Sequence, residues 1–390
     1  MWTPDEIIVN ENVIEDPVTV SIVNQCYKAP IRVVKTGLPK DIVATSEILS
    51  GLKKQADPKM LDVIIGGKKV LYVAPYSPGV VDEFLMPDDR LKCPHFERLK
   101  LASNGCFYQC DWCYLKLTYR NAFPYITVYA EYDKIKKRLH NRLQKTDDII
   151  MFNSGELADS LSLDHLTHAG REFIPWFGQS ENGYLFMLTK SDNVDEILDL
   201  PHNQHTVVAW SMNNAEVSQR FEIGAPPLHR RLAAARKVQD AGYPVRVRLD
   251  PIVPFDGWQD AYSQTIAEIF ANVNPDRITI GTLRFEKQFY NMRHSILTTK
   301  EILLPLFDQM VPMFEPETLT VDGKSKKSIG KYSFPEDMRI DIFNFIIPEI
   351  RNYSDCHIAL CKESREVWEK TGLDLSQNGC VCQYGFVDMT

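Results

Sequence analysis

The sequence has no long apolar run and no surplus of basic residues, and these two absences narrow the classes of protein it can encode. No stretch approaches the roughly 18 consecutive apolar residues of a membrane helix. The N-terminus lacks the basic region and apolar run of a secretory signal peptide. Lysine and arginine number 44 against 52 aspartates and glutamates, which gives a net charge of −8. Proteins that bind a nucleic-acid backbone usually carry a basic balance. We therefore expect a cytoplasmic protein with no membrane partner, and a nucleic-acid partner is allowed by this balance but not favoured.

Internal repeats and low-complexity tracts are also absent, which argues against a solenoid or a disordered chain. Hydrophobic residues make up 44% and charged residues 25%, as in an ordinary globular protein. Nine cysteines in a cytoplasmic chain are better explained as ligands, reactive thiols or core residues than as a disulfide framework. Three of them lie close together in the first third of the chain, and four lie in the last 35 residues.

The pattern of strands and helices predicts three regions. Residues 1–95 contain short strand-like runs such as Val18–Val23, interrupted by proline and glycine, and are interpreted as an N-terminal extension or cap. Residues 96–285 alternate six apolar strands with helices, which predicts an α/β fold with parallel βαβ units. Six strands are fewer than the eight of a full barrel, so we expect a partial (β/α)6 TIM-type barrel. Residues 286–390 form a C-terminal region, and we expect both extensions to cover the barrel mouth.

Three cysteines, Cys106, Cys110 and Cys113, stand at the spacing C-x3-C-x2-C directly after the first predicted strand of this barrel. Thiolates are soft ligands that select zinc or iron–sulfur clusters. Three thiolates leave one iron of a four-iron cluster open, and a small molecule can bind there. The carboxyl ends of parallel strands are also where α/β folds place their chemistry.

Polar residues follow the next strands at the same predicted edge. Ser154 and Glu156 follow the second strand, Lys190 the third and Ser211 the fourth. A ligand with an amino group, a carboxylate and a ribose would need such partners. Each residue alone is more often ordinary strand-end polarity, and it is their succession that favours a ligand site.

The cysteine motif, with Tyr114 after it, resembles that of the radical S-adenosylmethionine superfamily. Ser154-Gly-Glu156 is similar to the Gly-Gly-Glu motif that holds the methionine amino group there. More closely, residues 106 to about 284 resemble the spore photoproduct lyase family. The likeness lies in residues 113–115, 164–168, 232–237, 241–243 and 257–258, and later in residues 329–332.

The resemblance implies a radical enzyme with two cofactors. The three motif cysteines would ligate a [4Fe-4S] cluster, whose fourth iron would bind S-adenosyl-L-methionine. A one-electron donor such as flavodoxin or ferredoxin would reduce the cluster, and cleavage of the sulfonium would give methionine and a 5′-deoxyadenosyl radical. The residues it assigns to S-adenosylmethionine are Tyr114, Ser154, Glu156, Lys190 and Ser211.

Two departures from the family pattern change the expected reaction. Glu156 stands where the lyases carry a cysteine that returns a hydrogen atom to the product radical, and Trp112 stands where they have a tyrosine. We therefore expect hydrogen abstraction from a small-molecule or nucleotide-like substrate. The first alternative is a DNA-repair spore photoproduct lyase whose hydrogen donor has moved to the C-terminal cysteines. Cys380 and Cys382, together with Tyr114, are then the candidate catalytic residues.

The C-terminal cysteines allow three interpretations. Cys356, Cys361, Cys380 and Cys382 could hold a second metal or cluster, supply a catalytic or redox thiol, or have no chemical function. A second alternative for the whole chain is a non-catalytic binding protein stabilised by zinc. The motif cysteines would then bind the zinc with Cys93 or a histidine.

Overall fold

The computed structural model describes residues 2–55, 57, 59–86, 88–117, 124–315, 318–321, 324–327 and 330–390, with the backbone alone for 318–321 and 324–327. Residue 329, at the start of the segment 329–332 named above, lies outside this range. The strands are β1 (Glu6–Asn10), β2 (Ile31–Val34), β3 (Val70–Ala74), β4 (Val81–Phe84), β5 (Phe96–Leu99), β6 (Ala102–Ser103), β7 (Ile126–Tyr129), β8 (Ile150–Asn153), β9 (Gly183–Thr189), β10 (Thr206–Met212), β11 (Val245–Ile252), β12 (Arg277–Thr282), β13 (Arg284–Glu286), β14 (Val311–Pro312), β15 (Thr318–Val321), β16 (Lys324–Lys327), β17 (Lys331–Ser333) and β18 (His357–Leu360).

The α-helices connect these strands and cover the sheets. They are α1 (Pro17–Gln25), α2 (Pro39–Thr45), α3 (Glu47–Lys53), α4 (Met60–Gly67), α5 (Tyr132–Leu143), α6 (Asp164–Thr167), α7 (Ala169–Gly178), α8 (Ala215–Phe221), α9 (Leu228–Asp240), α10 (Trp258–Asn272), α11 (Lys287–Ile296), α12 (Lys300–Phe307), α13 (Glu336–Arg351) and α14 (Arg365–Lys370). Among the described residues, none of these helices has the length and apolar character needed to span a bilayer.

The main sheet has the strand order β18-β12-β11-β10-β9-β8-β5-β4, and all neighbours except β4 and β5 are parallel. Its six central strands are the six that the sequence predicts. The seventh parallel strand, β18, comes from the C-terminal region and pairs with β12. A backbone hydrogen bond of 2.8 Å from Lys92 to Glu363 joins segments next to the two edges of the sheet. The predicted α/β class with a partial barrel is confirmed, and the carboxyl ends of the parallel strands share one rim.

The N-terminal region is more regular than the sequence analysis anticipates. It forms a second sheet of order β2-β1-β3-β7-β6, in which β2, β1, β3 and β7 are parallel. Strand β7 follows the cysteine motif in sequence, so this sheet is completed by a segment from within residues 96–285. One face of the sheet joins the main hydrophobic core, and residues of α2 and α3 cover the other.

The strand predicted at Val18–Val23 is wrong, because these residues lie in helix α1. The Asp16 side chain accepts a hydrogen bond of 2.9 Å from the Val18 amide, and Pro17 occupies the first helical position. Both features start a helix. They outweigh the preference of valine and isoleucine for strands, which depends strongly on context.

Candidate active site

A cavity of about 540 Å³ opens at the carboxyl ends of the parallel strands. Its volume lies in the range of small-molecule sites. Both terminal regions contribute to its wall, with Phe84 from the N-terminal side and Glu286, Lys331 and Lys362 from the C-terminal side. The cavity therefore lies where the sequence predicts chemistry and is lined by all three predicted regions.

The loop that carries the motif is held close to the segment after β8. A side chain at Gly105 would place its Cβ only 2.2 Å from the Cβ of Ala102, so glycine is required at this close approach. The Gly105 amide donates to the Leu157 carbonyl and its carbonyl accepts from the Asp159 amide, each at 3.3 Å. These contacts bring Cys106 and Glu156 to one cavity.

The far end of the motif is fixed by a buried carboxylate, Asp111. It accepts hydrogen bonds of 2.8 Å from the amides of Thr298 and Thr299 and lies 3.1 Å from the Lys116 ammonium. Burial acts to raise the pKa of Asp111, but Lys116 and these hydrogen bonds hold it below its ordinary value. Asp111 thereby ties the cysteine loop to the C-terminal region.

The donor set suits an iron–sulfur cluster, since Cys106, Cys110 and Cys113 all line the cavity as free thiols. Burial raises the pKa of Cys106 and raises that of Cys110 to about 12, while Lys68 and Lys190 respectively act to lower them. A metal deprotonates coordinating thiols outright. In the described part of the chain, no three His, Cys, Asp or Glu side chains stand in ready ligand geometry, the motif cysteines included. Their assignment therefore depends on spacing, donor type and the shared cavity.

Lys190 and Ser211 both line the cavity and are in contact with each other. The Lys190 ammonium donates to the Ser211 hydroxyl at 3.0 Å and lies 3.7 Å from the Glu222 carboxylate. Arg231 lies 2.6 Å from Glu222 and donates to the Ser211 carbonyl at 3.0 Å. Although burial acts to lower it, the pKa of Lys190 is raised, chiefly by Glu222.

Glu222 and Arg231, which contact Lys190 and Ser211 from behind the cavity wall, are not marked by any motif in the sequence. Arg231 lies in helix α9 and is completely buried, although arginine is a residue type that is mostly exposed. The available signal was its spacing, because it shares an i, i+3, i+4 face with the buried residues Leu228, Leu232 and Ala235.

Ser154 does not line the cavity. Its hydroxyl lies 2.8 Å from that of Ser160 and donates to the Phe186 carbonyl at 3.2 Å. The structure brings Gly155 and Glu156 to the cavity instead. The predicted contact of Ser154 with S-adenosylmethionine is thus not supported by its position.

Tyr114 and Glu156 lie together at the cavity, because the Tyr114 hydroxyl donates to the Glu156 carbonyl. Lys362, which the sequence analysis missed, lines the same cavity from the loop after β18 and has φ of 56°. Burial acts to lower the pKa of Lys362, but nearby Glu156 contributes to raising it. No motif marks Lys362. It reaches the cavity because the strand before it, β18, pairs with β12, which lies far away in the sequence.

A second buried charge group consists of Arg248, Asp250 and Arg284. The Asp250 carboxylate lies 2.8 Å from Arg248 and 2.7 Å from Arg284. Burial alone would raise the pKa of Asp250, but the two guanidinium groups hold it far below its ordinary value. Asp250 therefore stays ionised and neutralises one of the two arginines.

The four C-terminal cysteines do not form one site. Cys356 precedes β18 and Cys361 follows it, so the two are about 16 Å apart at roughly 3.3 Å per strand residue. The second metal site predicted from all four is therefore not assembled in the structure. Cys361 contacts the cavity-lining Arg248, whose guanidinium donates to its sulfur at 2.9 Å.

Like Cys361, Cys380 and Cys382 are buried and do not line the cavity. Their sulfurs are 3.1 Å apart, and they pack with Phe96, Phe186 and Ala209 in a core cluster of their own. The Cys382 thiol is the chief cause that lowers the pKa of Cys380 to about 6. A direct contact of either thiol with a ligand in the cavity is not supported by this placement.

Comparison with known proteins identifies the family. The spore photoproduct lyase family model matches residues 93–354, more than half of the chain. Spore photoproduct lyase of Bacillus subtilis (strain 168) is 34% identical over 243 residues, 60% of this chain and 67% of the relative. The enzyme of Geobacillus sp. (strain Y412MC61) is 33% identical over 185 residues, 47% of this chain and 53% of the relative, so this match spans about half of that protein.

Solved structures show the same fold. A spore photoproduct lyase with a single cysteine-to-alanine substitution has a TM-score of 0.74 at 21% identity, covering 92% of this chain and 98% of that chain. A double mutant of spore photoproduct lyase with bound AdoMet and dinucleoside spore photoproduct has a TM-score of 0.73 at 22% identity, with the same coverage. The fold, the cysteine motif and the family match confirm the resemblance stated from the sequence: this chain belongs to the spore photoproduct lyase family of radical S-adenosylmethionine enzymes.

Proposed function

We propose that this enzyme cleaves S-adenosylmethionine reductively and abstracts hydrogen from a nucleotide-like substrate held in the cavity. The observation that carries the proposal is that one cavity is lined by Cys106, Cys110, Cys113, Lys190 and Ser211. In the sequence, the cysteines follow the first strand of the barrel, Lys190 the third and Ser211 the fourth. A cluster and its bound S-adenosylmethionine would therefore lie within reach of all of them.

The residues of this wall divide into two roles. The three cysteines would hold the [4Fe-4S] cluster, which with bound S-adenosylmethionine supplies the 5′-deoxyadenosyl radical. Lys190 and Ser211 would orient the methionine and ribose parts of S-adenosylmethionine, and Tyr114 would flank it. Glu222 and Arg231 hold Lys190 and Ser211 in place from behind. A flavodoxin or ferredoxin of the cytoplasm would provide the electron.

The substrate class follows from the cavity and from the related structures. A neighbouring structure is complexed with dinucleoside spore photoproduct, a nucleic-acid-like ligand. The cavity wall carries both signs of charge, including Lys331 and Lys362 against Glu156 and Glu286. Such a balance suits a polar nucleoside-sized ligand better than a long phosphate backbone, which favours basic surfaces.

The second candidate is the lyase reaction itself, with the hydrogen donor relocated to a C-terminal thiol. Its support is the contact between Cys361 and the cavity-lining Arg248. The role predicted for Cys380 and Cys382 stays a prediction, and through this contact Cys361 would be the member of the group closest to a substrate.

One experiment tests the function and separates the two candidates. The reconstituted enzyme is incubated anaerobically with S-adenosylmethionine, dithionite and dinucleoside spore photoproduct, and the nucleosides are quantified by mass spectrometry. We expect 5′-deoxyadenosine to form, and we expect its amount to increase when the dinucleoside is added. Recovery of two thymidines per dinucleoside would establish the lyase reaction, and its loss in Cys361→Ala would assign the donor. Absence of 5′-deoxyadenosine from the wild type would contradict both candidates.

A further inference from the structure

Glu156 and Lys362 are two opposite charges that line the cavity. In the part of the chain that the structure describes, the Glu156 carboxylate and the Lys362 ammonium form no hydrogen bond and no ion pair within 4.0 Å, not even with each other. The ammonium lies 5.3 Å from the centroid of the Phe84 ring. Both side chains line the same cavity.

The other charged groups on this part of the wall are paired. Arg248 and Arg284 share Asp250, and Lys331 pairs with Glu286. Leaving a partly buried charge without a partner costs free energy, because water is lost and nothing replaces it. Two such charges beside a cavity therefore indicate a ligand that supplies their missing partners.

The backbone holds both residues in place without using their charges. The Tyr114 hydroxyl fixes the Glu156 carbonyl. On the other side, Glu363 is anchored by Arg339 at 3.0 Å and by the Lys92 amide at 2.8 Å, which positions Lys362 next to it. Their side chains are thus presented to the cavity by rigid supports, as binding groups require.

The chemistry of the pair specifies what fits between them. An ionised glutamate only accepts hydrogen bonds, and a lysine ammonium only donates them. A free anion would be repelled by Glu156 and a free cation by Lys362. A neutral edge that presents a donor beside an acceptor satisfies both, and the imide of a thymine base presents its N3–H beside a carbonyl oxygen.

We propose that Glu156 and Lys362 form a recognition clamp for the imide edge of a pyrimidine base. Glu156 accepts from the base N3–H, and Lys362 donates to the adjacent carbonyl oxygen. This assignment rests on the proposed function, and it gives Glu156 to the substrate rather than to the methionine amine. It also gives a reason for a glutamate at this strand end that does not involve hydrogen transfer.

Binding of a dinucleotide tests the clamp directly. The full-length protein is titrated by calorimetry with thymidylyl-thymidine and with the same dinucleotide methylated at both N3 positions. A hydrogen bond to a charged group contributes enough that its loss weakens binding roughly 10- to 100-fold. We expect that difference for the wild type. Equal affinity for the two dinucleotides would overturn the proposal, whatever the variants do.

Three variants assign the two contacts. Glu156→Met should remove the discrimination between the dinucleotides, and Lys362→Met should weaken both to a similar extent. Lys331→Met is the matched control, since this cavity lysine already has Glu286 as its partner, and it should keep the discrimination. Circular dichroism checks that each variant is folded. If Glu156→Met loses affinity for S-adenosylmethionine but still discriminates, the proposal is wrong.

Failure of the clamp and failure of the proposed function give different results. The 5′-deoxyadenosine assay on the wild type reports only the cleavage of S-adenosylmethionine. A wild type that forms 5′-deoxyadenosine but binds both dinucleotides equally refutes the clamp alone. A wild type that forms none refutes the proposed function.

Discussion

Buried charges behind the cavity fix the residues that face it. Glu222 is the clearest case, since its carboxylate lies between Arg231 and Lys190 and neutralises part of both charges. Glu222 and Arg231 are almost completely buried, and only 19% of the Lys190 side chain is exposed to solvent. Removing one partner of such a group leaves an uncompensated charge in a poor solvent.

Glu222→Gln should therefore destabilise the protein by about 3–5 kcal/mol and weaken S-adenosylmethionine binding through Lys190. Chemical denaturation and equilibrium binding measure the two effects. Glu216→Gln is the matched control, because Glu216 forms an exposed pair with Arg220 on the same helix and should cost at most about 0.5 kcal/mol. Similar small effects for both variants would show that the buried network is not required.

Asp250 gives the stability of this protein a defined pH dependence. Its folded pKa is held below the ordinary value by Arg284 and Arg248. For a carboxyl group with a depressed pKa, the stabilisation is complete above the unfolded pKa of about 3.9 and is lost as the pH falls below it. The stability difference between wild type and Asp250→Asn should thus be constant from about pH 7 to 5 and shrink below about pH 4.

Urea denaturation at successive pH values checks this dependence. Asp240→Asn serves as the control, because Asp240 forms an exposed pair with Arg236 and should show little difference at any pH. A difference between wild type and Asp250→Asn that stays constant down to about pH 2 would contradict the assignment.

Local sequence patterns predict single site residues only where a motif or a strand end marks them. The three motif cysteines, Lys190 and Ser211 are of this kind, and the structure brings them to one cavity. Lys362 and Arg284 reach the same cavity from the last hundred or so residues, where no motif marks them. Ser154 shows the converse, since a motif residue can turn its side chain away from the cavity.

At the scale of elements, the parallel strands were predictable because each is a short apolar run between helices. The pairing of β18 with β12 was not, because it joins residues about 80 positions apart and leaves no local signal. The helix at Pro17–Gln25 was not predictable from residue preferences for a different reason. Its valines and isoleucine favour a strand, and this preference hides the residues that start the helix.

The C-terminal tail is an element in its own right, because it closes the amino-terminal side of the main sheet. Arg246 and Arg277, at the starts of β11 and β12, donate to the carbonyls of Val381, Gln383, Tyr384 and Gly385. Val381 is completely buried beside Phe96 and Phe186. The close Cys380–Cys382 pair is part of this packed C-terminal tail.

Val381→Ala should destabilise the protein by about 2 kcal/mol, because two buried methyl groups are lost and a cavity remains. Thermal or urea denaturation measures this effect. Val311→Ala is the control at an exposed valine and should change the stability by less than about 0.5 kcal/mol. Equal effects of the two substitutions would mean that the tail does not pack against the sheet in solution.

At the scale of the whole molecule, the cavity is assembled from three distant parts of the chain. The family model covers residues 93–354, while related structures share the fold over 92% of the chain. The shared fold therefore extends beyond the residues that the family model matches. The boundaries predicted at residues 95 and 285 remain predictions, and strand β7 shows that the first is crossed by a shared sheet.

The central claim is that Cys106, Cys110 and Cys113 hold a cluster that cleaves S-adenosylmethionine. Its alternative is a structural zinc site, which would stabilise the fold without turnover. A variant with all three cysteines changed to alanine separates the two, and it also tests for a second metal. Iron and sulfide that persist in this variant would mean that a second cluster forms elsewhere in the chain.

The decisive measurement is therefore the iron, sulfide, zinc and 5′-deoxyadenosine content of anaerobically reconstituted wild type and triple variant, each with S-adenosylmethionine and dithionite. We predict about four irons and four sulfides in the wild type, with 5′-deoxyadenosine formed, and loss of both in the variant. Stoichiometric zinc in the wild type, with no iron chromophore and no 5′-deoxyadenosine, would contradict the account.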